Sequence, residues 1–370
     1  MHVKKIFLAD YRNYIEQTIA PSDGLNIFVG ENAQGKTNLI ESMEYAALGR
    51  SQRASKDVEL IRWDQSSATV RIVFEKFDVE HSIAFELNRQ KPRRLFFNDA
   101  PIKMRELIGK LNVVYFSPED LFMIKGAPSN RRRFLDAEIS QASPAYFADL
   151  LTYNKILAQR NSLLKKIREG STRTTGLALW NEQLAGAAAR IVVKRLEVVK
   201  KLSAIAGKIQ SALSSAEESL SIHYAPKGLD EAKFDSGLTS TLAARYHNML
   251  NNCADLDVAR GSTSIGPHLD DLNFLIDGRE LRLFGSQGQQ RTAVLSLKLS
   301  ELEFLNEETG TYPVLLLDDV MSELDSARRR RLIDFLRQKH IQTFITAVEI
   351  DALDCPAAVF DVDHAVIIER

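Results

Sequence analysis

The apolar segment LNIFV (25–29) runs directly into GENAQGKT (30–37), and that loop opens into the helix-like TNLIESMEYAALG (37–49). The loop satisfies G-x-x-x-x-G-K-[ST] in full, with Gly30, Gly35, Lys36 and Thr37 at the fixed positions. No other stretch narrows the fold so far, because strand, glycine loop and helix in that order build the phosphate-binding corner of an α/β sheet. Glycines at 30 and 35 let the backbone turn its N–H groups inward, and the helix N-terminus adds its positive end. Gly30, Glu31, Asn32, Ala33, Gln34, Gly35, Lys36 and Thr37 are therefore the candidate nucleotide-contacting residues. Lys36 would reach the β- and γ-phosphates and take part in catalysis, and the Thr37 hydroxyl would hold magnesium.

Such a site needs a carboxylate on a second strand. YPVLLLDDV (312–320) is a continuous apolar run, the pattern of a strand buried on both faces, and it ends in Asp318 and Asp319. Acids at the carboxyl end of a buried strand face the crevice where open α/β sheets bind ligands. Asp318 is the candidate magnesium ligand, and Asp319 the candidate for polarising an attacking water. The loop lies near the start of the chain and the acid near its end, unlike small GTPase-like switches, which keep the two close in sequence. Just before the acid strand, GSQGQQR (285–291) opens a helix with small and polar residues, a second surface that suits phosphate. A nucleotide already wrapped by its own loop has no need of it. This surface either grips the nucleotide of another subunit or is an ordinary Ser/Gly helix cap.

Residues 1–125 read mainly as strands: VKKIFLADY, ATVRIVFEKF and HSIAFELNR are rich in branched and aromatic residues, and RRLFFNDAPI turns at Asn98-Asp99. Over 126–254 the apolar spacing becomes helical, through Phe147, Leu150, Leu157 and Leu164, then Trp180, Leu184, Ile191, Val192, Val199 and Leu202. REGSTRTTG (168–176) breaks the run between two helices, the second reaching on the order of 60 Å if unbroken. Over 255–370 strand character returns, with a hairpin at Asp277-Gly278 and the runs HIQTFITAV and HAVIIER. The expectation is an α/β domain made of 1–125 and 255–370, interrupted by a helical lobe at 126–254.

Composition excludes several classes. At 45% hydrophobic and 26% charged the chain is ordinary for a soluble globular protein, and it has no apolar stretch of roughly 18 residues that would span a membrane. Net charge is −1, so attraction to a phosphate backbone must come from local basic patches. Cys253 and Cys355 fit neither a disulfide framework nor a zinc site, which favours a reducing, cytoplasmic setting.

YRNY (11–14), GENAQGKTNLIE (30–41), FSPEDL (116–121), GAPSNRRRFLD (126–136), GPHLDDL (266–272), GSQGQQRT (285–292) and PVLLLDDVMSELD (313–325) occur in that order. Together they resemble the ABC-type ATPase heads of the SMC-like repair proteins, and in particular the bacterial recombination mediators, over most of the chain. The resemblance implies an α/β fold, an ABC-type P-loop ATPase head with an inserted helical lobe. It implies ATP and Mg2+ as cofactors, a homodimer that forms on ATP, and slow DNA-linked hydrolysis used as a binding switch. It adds Arg12 to the ATP-binding set. It places Ser286, Gly288, Gln289 and Gln290 on the partner's nucleotide, with Ser322 and Asp325 along the interface. It implies DNA as a partner, favouring gaps and junctions of single and double strands. Action with RecO and RecR to load RecA, in support of repair, replication restart and SOS induction, belongs to the same implication.

The departures from that pattern are informative. Gln287 stands where LSGGQ carries its first glycine, and Asp319 replaces the usual glutamate. Ala347 follows Thr346 where a histidine is expected, and FSPEDL carries no Q-loop glutamine. All four favour slow hydrolysis and disfavour the alternative reading, the nucleotide-binding subunit of an ABC transporter. A long-armed SMC protein is set aside because the inserted lobe is too short for sustained heptads.

Candidate DNA contacts are Arg131, Arg132 and Arg133 beside a proline turn, and Arg93 and Arg94 in QKPRR next to Phe96 and Phe97. The competing readings are a solvated turn or an internal pairing with Asp136 for the first group, and core phenylalanines for the second. SARRRRLIDFLRQ reads as a helix with an exposed basic face. His268 with Asp270 and Asp271 looks superficially like a set of metal ligands, but such spacing alone is weak.

Overall fold

Leu25–Val29 is buried at every position and lies in the interior of a six-stranded sheet, as a wholly apolar run requires. The computed structural model that shows this describes residues 1–214, 218–229, 239–349 and 356–370. Across the sheet the strands run Val366–Glu369, Ala358–Asp363, Leu25–Val29, Thr343–Ala347, Val314–Asp318 and Val113–Phe116. All neighbours pair in parallel except the hairpin formed by the first two. The acid strand Val314–Asp318 is therefore one strand removed from the phosphate-loop strand, with Thr343–Ala347 between them.

A second six-stranded sheet, antiparallel throughout, is built from Tyr14–Ile19, His2–Tyr11, Ser67–Lys76, Val79–Asn88, Arg94–Phe97 and Ala100–Pro101. Ser67–Lys76 alternates buried and more exposed positions, the signature of a sheet with one covered face. The helix Lys36–Leu48 packs against both sheets, and Leu39, Ile40, Met43, Tyr45, Ala46 and Ala47 are all buried in one core with Phe28, Phe74, Phe85, Leu316 and Phe344. Burial on every side explains why this helix has no clean polar face. Gln342 stitches the two sheets together: its amide accepts from Val3 N–H at 2.6 Å and donates to Val3 O at 2.9 Å. These elements form one of two compact units, Met1–Asp120 with Glu301–Arg370.

The other unit is Leu121–Ser300. Helices Pro128–Ala142, Pro144–Arg168, Leu177–Leu213, Thr239–Asn252 and Ala254–Arg260 carry it, with a three-stranded sheet ordered Arg279–Glu280, Asp271–Ile276 and Leu220–Ala225. The break at 168–176 falls between the two longest helices, and Leu184, Ile191, Val192, Val199 and Leu202 are buried as a helical stripe should be. The unit runs well past the expected boundary at 254. The reason is Leu220–Ala225, an alternating strand that buries Leu220, Ile222 and Tyr224, pairs with Asp271–Ile276 and draws 255–300 into the same body. Buried arginines hold it: Arg160 bonds Asp257 at 2.8 Å and Asn181 at 2.8 Å, and Arg195 bonds Asp136 at 2.8 Å and Pro267 O at 2.7 Å. No helix among the described residues is long and apolar enough to cross a membrane. Cys253 is a free thiol, and Cys355 lies outside the described residues.

Candidate nucleotide site

The phosphate loop is clamped before any ligand arrives. Gly35 has φ 121°, a conformation that side chains resist, and a Cβ there would sit 2.9 Å from Asn13 Nδ2. At Gly30 a Cβ would meet Val362 O at 2.2 Å. The tight turn between the first two strands supplies the clamp: Tyr14 OH donates to Gly35 O at 3.0 Å and Asn13 Nδ2 donates to Gln34 O at 3.2 Å. From the far edge of the parallel sheet, Ala365 N–H donates to Gln34 O at 3.0 Å and His364 N–H to Gln34 Oε1 at 2.6 Å. Glu31, Asn32 and Ala33 stay exposed at the tip.

Helix Lys36–Leu48 begins without a side-chain cap, so its first N–H groups are left to a ligand. Lys36 Nζ donates to Gly30 O at 2.5 Å and Glu31 O at 2.7 Å, which folds the ammonium over the mouth of the loop. Burial lowers its pKa while Asp319 and Asp318 pull the other way.

Asp318 is almost fully buried and held from several sides. Its Oδ1 accepts from Thr37 Oγ1 at 2.9 Å and Thr346 Oγ1 at 2.8 Å, and its Oδ2 accepts from Tyr115 OH at 3.2 Å. Thr37 and Asp318 are 281 positions apart in sequence and in direct contact in space. The donor set is hydroxyl and carboxylate oxygen only, which suits magnesium, a hard cation that keeps waters and phosphate oxygens as its remaining ligands. Asp319 points elsewhere. It is exposed, takes φ 57°, and its N–H donates to Thr346 Oγ1 at 2.9 Å. With Ser322 it lines a cavity of about 220 Å3 beside Ile27, Ile345 and Thr346.

Ser322 donates to Asp319 O at 2.8 Å, and Asp325 is an exposed helix cap that accepts from Arg328 N–H at 2.9 Å. In the Leu121–Ser300 unit, Ser286 and Gln289 form a reciprocal cap: Gln289 N–H donates to Ser286 Oγ at 3.2 Å and Ser286 N–H to Gln289 Oε1 at 2.9 Å. Gly288 is exposed, as are Leu283 and Phe284 just upstream, whereas Gln290 is buried and donates to Leu281 O at 3.2 Å. The helix-cap reading of GSQGQQR is thus realised in the structure, and its exposed tip leaves room for a second role.

Several candidate contacts are occupied within the chain. Arg131 is a correction: it is buried and bonds Asp271 at 2.6 and 2.9 Å, an internal pairing with Asp271 in place of Asp136, which Arg195 takes. Arg12 is bidentate to Glu41 at 2.8 and 2.6 Å and reaches Glu59 O at 3.0 Å. Arg93 bonds Tyr45 OH, Gly49 O and Asp57, Arg94 pairs with Glu86, and Arg132 donates to Asp270 O at 2.7 Å. Arg133 is exposed. His268 faces Tyr153 OH at 2.5 Å, and burial brings its pKa down to about 4. No group of metal-ligating side chains that could hold an ion by itself occurs among the described residues.

Tyr115, Thr346, Tyr14, Asn13 and Glu41 are the residues sequence reasoning missed as parts of the site. Only the spacing of YRNY and the TA pair after FI hinted at any of them. Tyr115 carried no signal, because its place beside the acid strand depends on the Leu316–Tyr115 register.

A phosphate loop, an acid one strand away, a covering antiparallel sheet and a separate helical unit define an SMC-like ABC-type ATPase head. The model for the RecF/RecN/SMC N terminal domain matches residues 2–365. The chain belongs to the RecF family. It is 44% identical to the DNA replication and repair protein RecF of Halothermothrix orenii, covering 94% of this chain and 92% of that one, and 42% identical to that of Acetivibrio thermocellus, covering 94% of each. A solved structure of the recombination mediator protein RecF with ATP, in the RecFOR pathway, superposes with TM-score 0.92 at 38% identity, covering 100% of this chain and 97% of that one. An Smc head bound to the C-winged helix domain of ScpA, 15% identical with TM-score 0.59, shares the fold over 100% of this chain and 98% of that one.

Proposed function

We propose that this protein is an ATP-switched, DNA-binding homodimer of recombinational repair, acting at single-strand gaps and in replication restart. The observation that carries the reading is the 2.9 Å bond between Thr37 and Asp318, which joins a complete phosphate loop to a buried acid at the carboxyl end of an interior strand of the same sheet. Lys36, the loop amides and the uncapped helix N-terminus bind the β- and γ-phosphates. Thr37 and Asp318 would hold magnesium, which would supply positive charge to the phosphate oxygens. Asp319 orients the attacking water, and its short side chain at a left-handed position, with no histidine at 347, suits slow turnover.

The exposed tip at Ser286 and Gly288, with Gln289, completes the pocket of a second copy, and Ser322 and Asp325 lie along the dimer interface. ATP then controls dimerisation, and dimerisation controls the grip on DNA at gaps and strand junctions. Family membership supports cooperation with RecO and RecR in loading RecA, and so in SOS induction; the solved RecF–ATP relative is itself of the RecFOR pathway. Arg133 is the best placed of the candidate DNA contacts. Membership of the RecF family disfavours the transporter reading.

Sedimentation with ATP and magnesium tests the switch. The wild-type chain should dimerise on ATP, and Lys36→Arg should stay monomeric with its fold intact. A wild-type monomer at saturating ATP, or a dimer in the variant, would refute the mechanism.

A further inference from the structure

Trp63 is 85% exposed, an unusual setting for a side chain that globular proteins bury over most of its area. Its turn is nevertheless firmly built. Gln65 N–H donates to Arg62 O at 3.2 Å, closing a turn in which Asp64 takes φ 63°. Behind it, the Arg89 guanidinium donates to the carbonyls of Gln65 at 2.7 Å, Ile61 at 3.3 Å and Arg62 at 3.3 Å. Arg62 is tied down twice more, its N–H donating to Asp10 O at 2.8 Å and its Nε to Asp10 Oδ1 at 2.8 Å. Ile61 bridges to Tyr11. All this fastening fixes the backbone beneath the indole and covers none of the ring.

Charge nearby selects the ligand. The link between strands Val79–Asn88 and Arg94–Phe97 carries Arg89, Lys91 and Arg93; Arg93 is paired with Asp57 and Asp64 adjoins the tryptophan, so the positive charge on offer is that of Arg89 and Lys91. Lys91 is exposed, and its N–H is anchored to Asn88 Oδ1 at 3.0 Å. The segment RWDQSS (62–67) contains no large apolar side chain besides the tryptophan. A protein-docking hot spot would sit in an apolar surround. An exposed ring on a fixed backbone, with the Arg89 guanidinium bonded to the same turn, is what stacks a base while its phosphates find positive charge.

We propose that Trp63 is a nucleobase-stacking platform, and that the base it takes is an unpaired one of a DNA strand. The proposal rests on the DNA-binding reading above and adds the residue that would prefer single-stranded segments. The chain has two tryptophans, Trp63 and Trp180, so Trp180→Phe leaves a lone reporter. That variant is titrated with short oligo(dT), with an abasic oligonucleotide of equal length, and with ATP–magnesium alone. Trp63→Ala and Trp63→Phe are compared for oligo(dT) affinity by anisotropy in the otherwise native chain.

Quenching by oligo(dT), little by the abasic strand and none by ATP is the expected pattern. Trp63→Ala should weaken oligo(dT) binding about 10-fold or more, and Trp63→Phe should restore part of it. Oligo(dT) bound with unchanged emission and unchanged affinity in Trp63→Ala overturns the platform and leaves DNA binding standing. Quenching by ATP alone overturns the assignment to DNA in favour of the nucleotide's own base. Failure of the native chain to bind any DNA sinks both readings together.

Discussion

Glu44 lies on the phosphate-loop helix, 2% exposed, with Gln52 Nε2 donating to its Oε1 at 2.7 Å. Burial pushes its carboxyl from 4.5 up to about 7, and the Gln52 bond offsets only part of that. Between those values the folded protein keeps a proton that the unfolded chain has released. The stabilisation from this group is therefore full below 4.5 and is lost as pH rises through about 7. At about 1.4 kcal/mol per pH unit, the interval amounts to about 3 kcal/mol. Glu44→Gln keeps the shape and the acceptor oxygen but cannot ionise. Relative to wild type it should gain about 3 kcal/mol between acid and mildly alkaline pH. Urea-unfolding midpoints of both proteins, followed by circular dichroism across that range, measure the difference. A stability difference, variant minus wild type, that stays constant or falls as pH rises would refute the reasoning.

Tyr115→Phe removes the donor to Asp318 Oδ2 and should raise the magnesium needed for nucleotide binding about 10-fold; a fluorescent ATP analogue titrated at graded magnesium reads this, and an unchanged midpoint counts against Tyr115 as a positioning residue. Arg131→Ala strands Asp271 and should cost about 2 kcal/mol of stability, measured by thermal unfolding; a fully stable variant with a specific DNA defect would return Arg131 to the DNA face. Ser286→Asp keeps a competent helix cap but sets a carboxylate where the partner's phosphate is proposed to lie, so ATP-dependent dimerisation should fail without loss of stability. DNA affinity should fall steeply with salt, since the contacts are mainly to phosphates, and a flat titration would exclude them.

The elements that could be read from the sequence were those whose chemistry is local. The glycine loop, its strand and its helix are consecutive, and the φ 121° at Gly35 belongs to a residue type that tolerates it. Val314–Asp318 declared itself by unbroken apolarity, and its acid by position at the strand end. The break at 168–176 was equally plain.

Contacts between distant segments were not written there. Leu220–Ala225 alternates as a strand should, but its partner Asp271–Ile276, far along the chain, is fixed only by the fold. Three adjacent arginines look alike in a sequence, yet a helical turn sends Arg131 inward to Asp271 and leaves Arg133 in solvent. Thr346 precedes Ala347, the position where a histidine is expected, and only the parallel register sets its hydroxyl against Asp318 and under the Asp319 amide.

By itself the sequence determined that a phosphate-gripping loop and a buried acid strand exist, because backbone freedom at glycine and the transfer of apolar side chains out of water depend on residue type alone. Only the tertiary structure decided which hydroxyls orient the acid, which arginines are already paired and which aromatic stands bare, because those follow from register and burial among segments far apart in the chain.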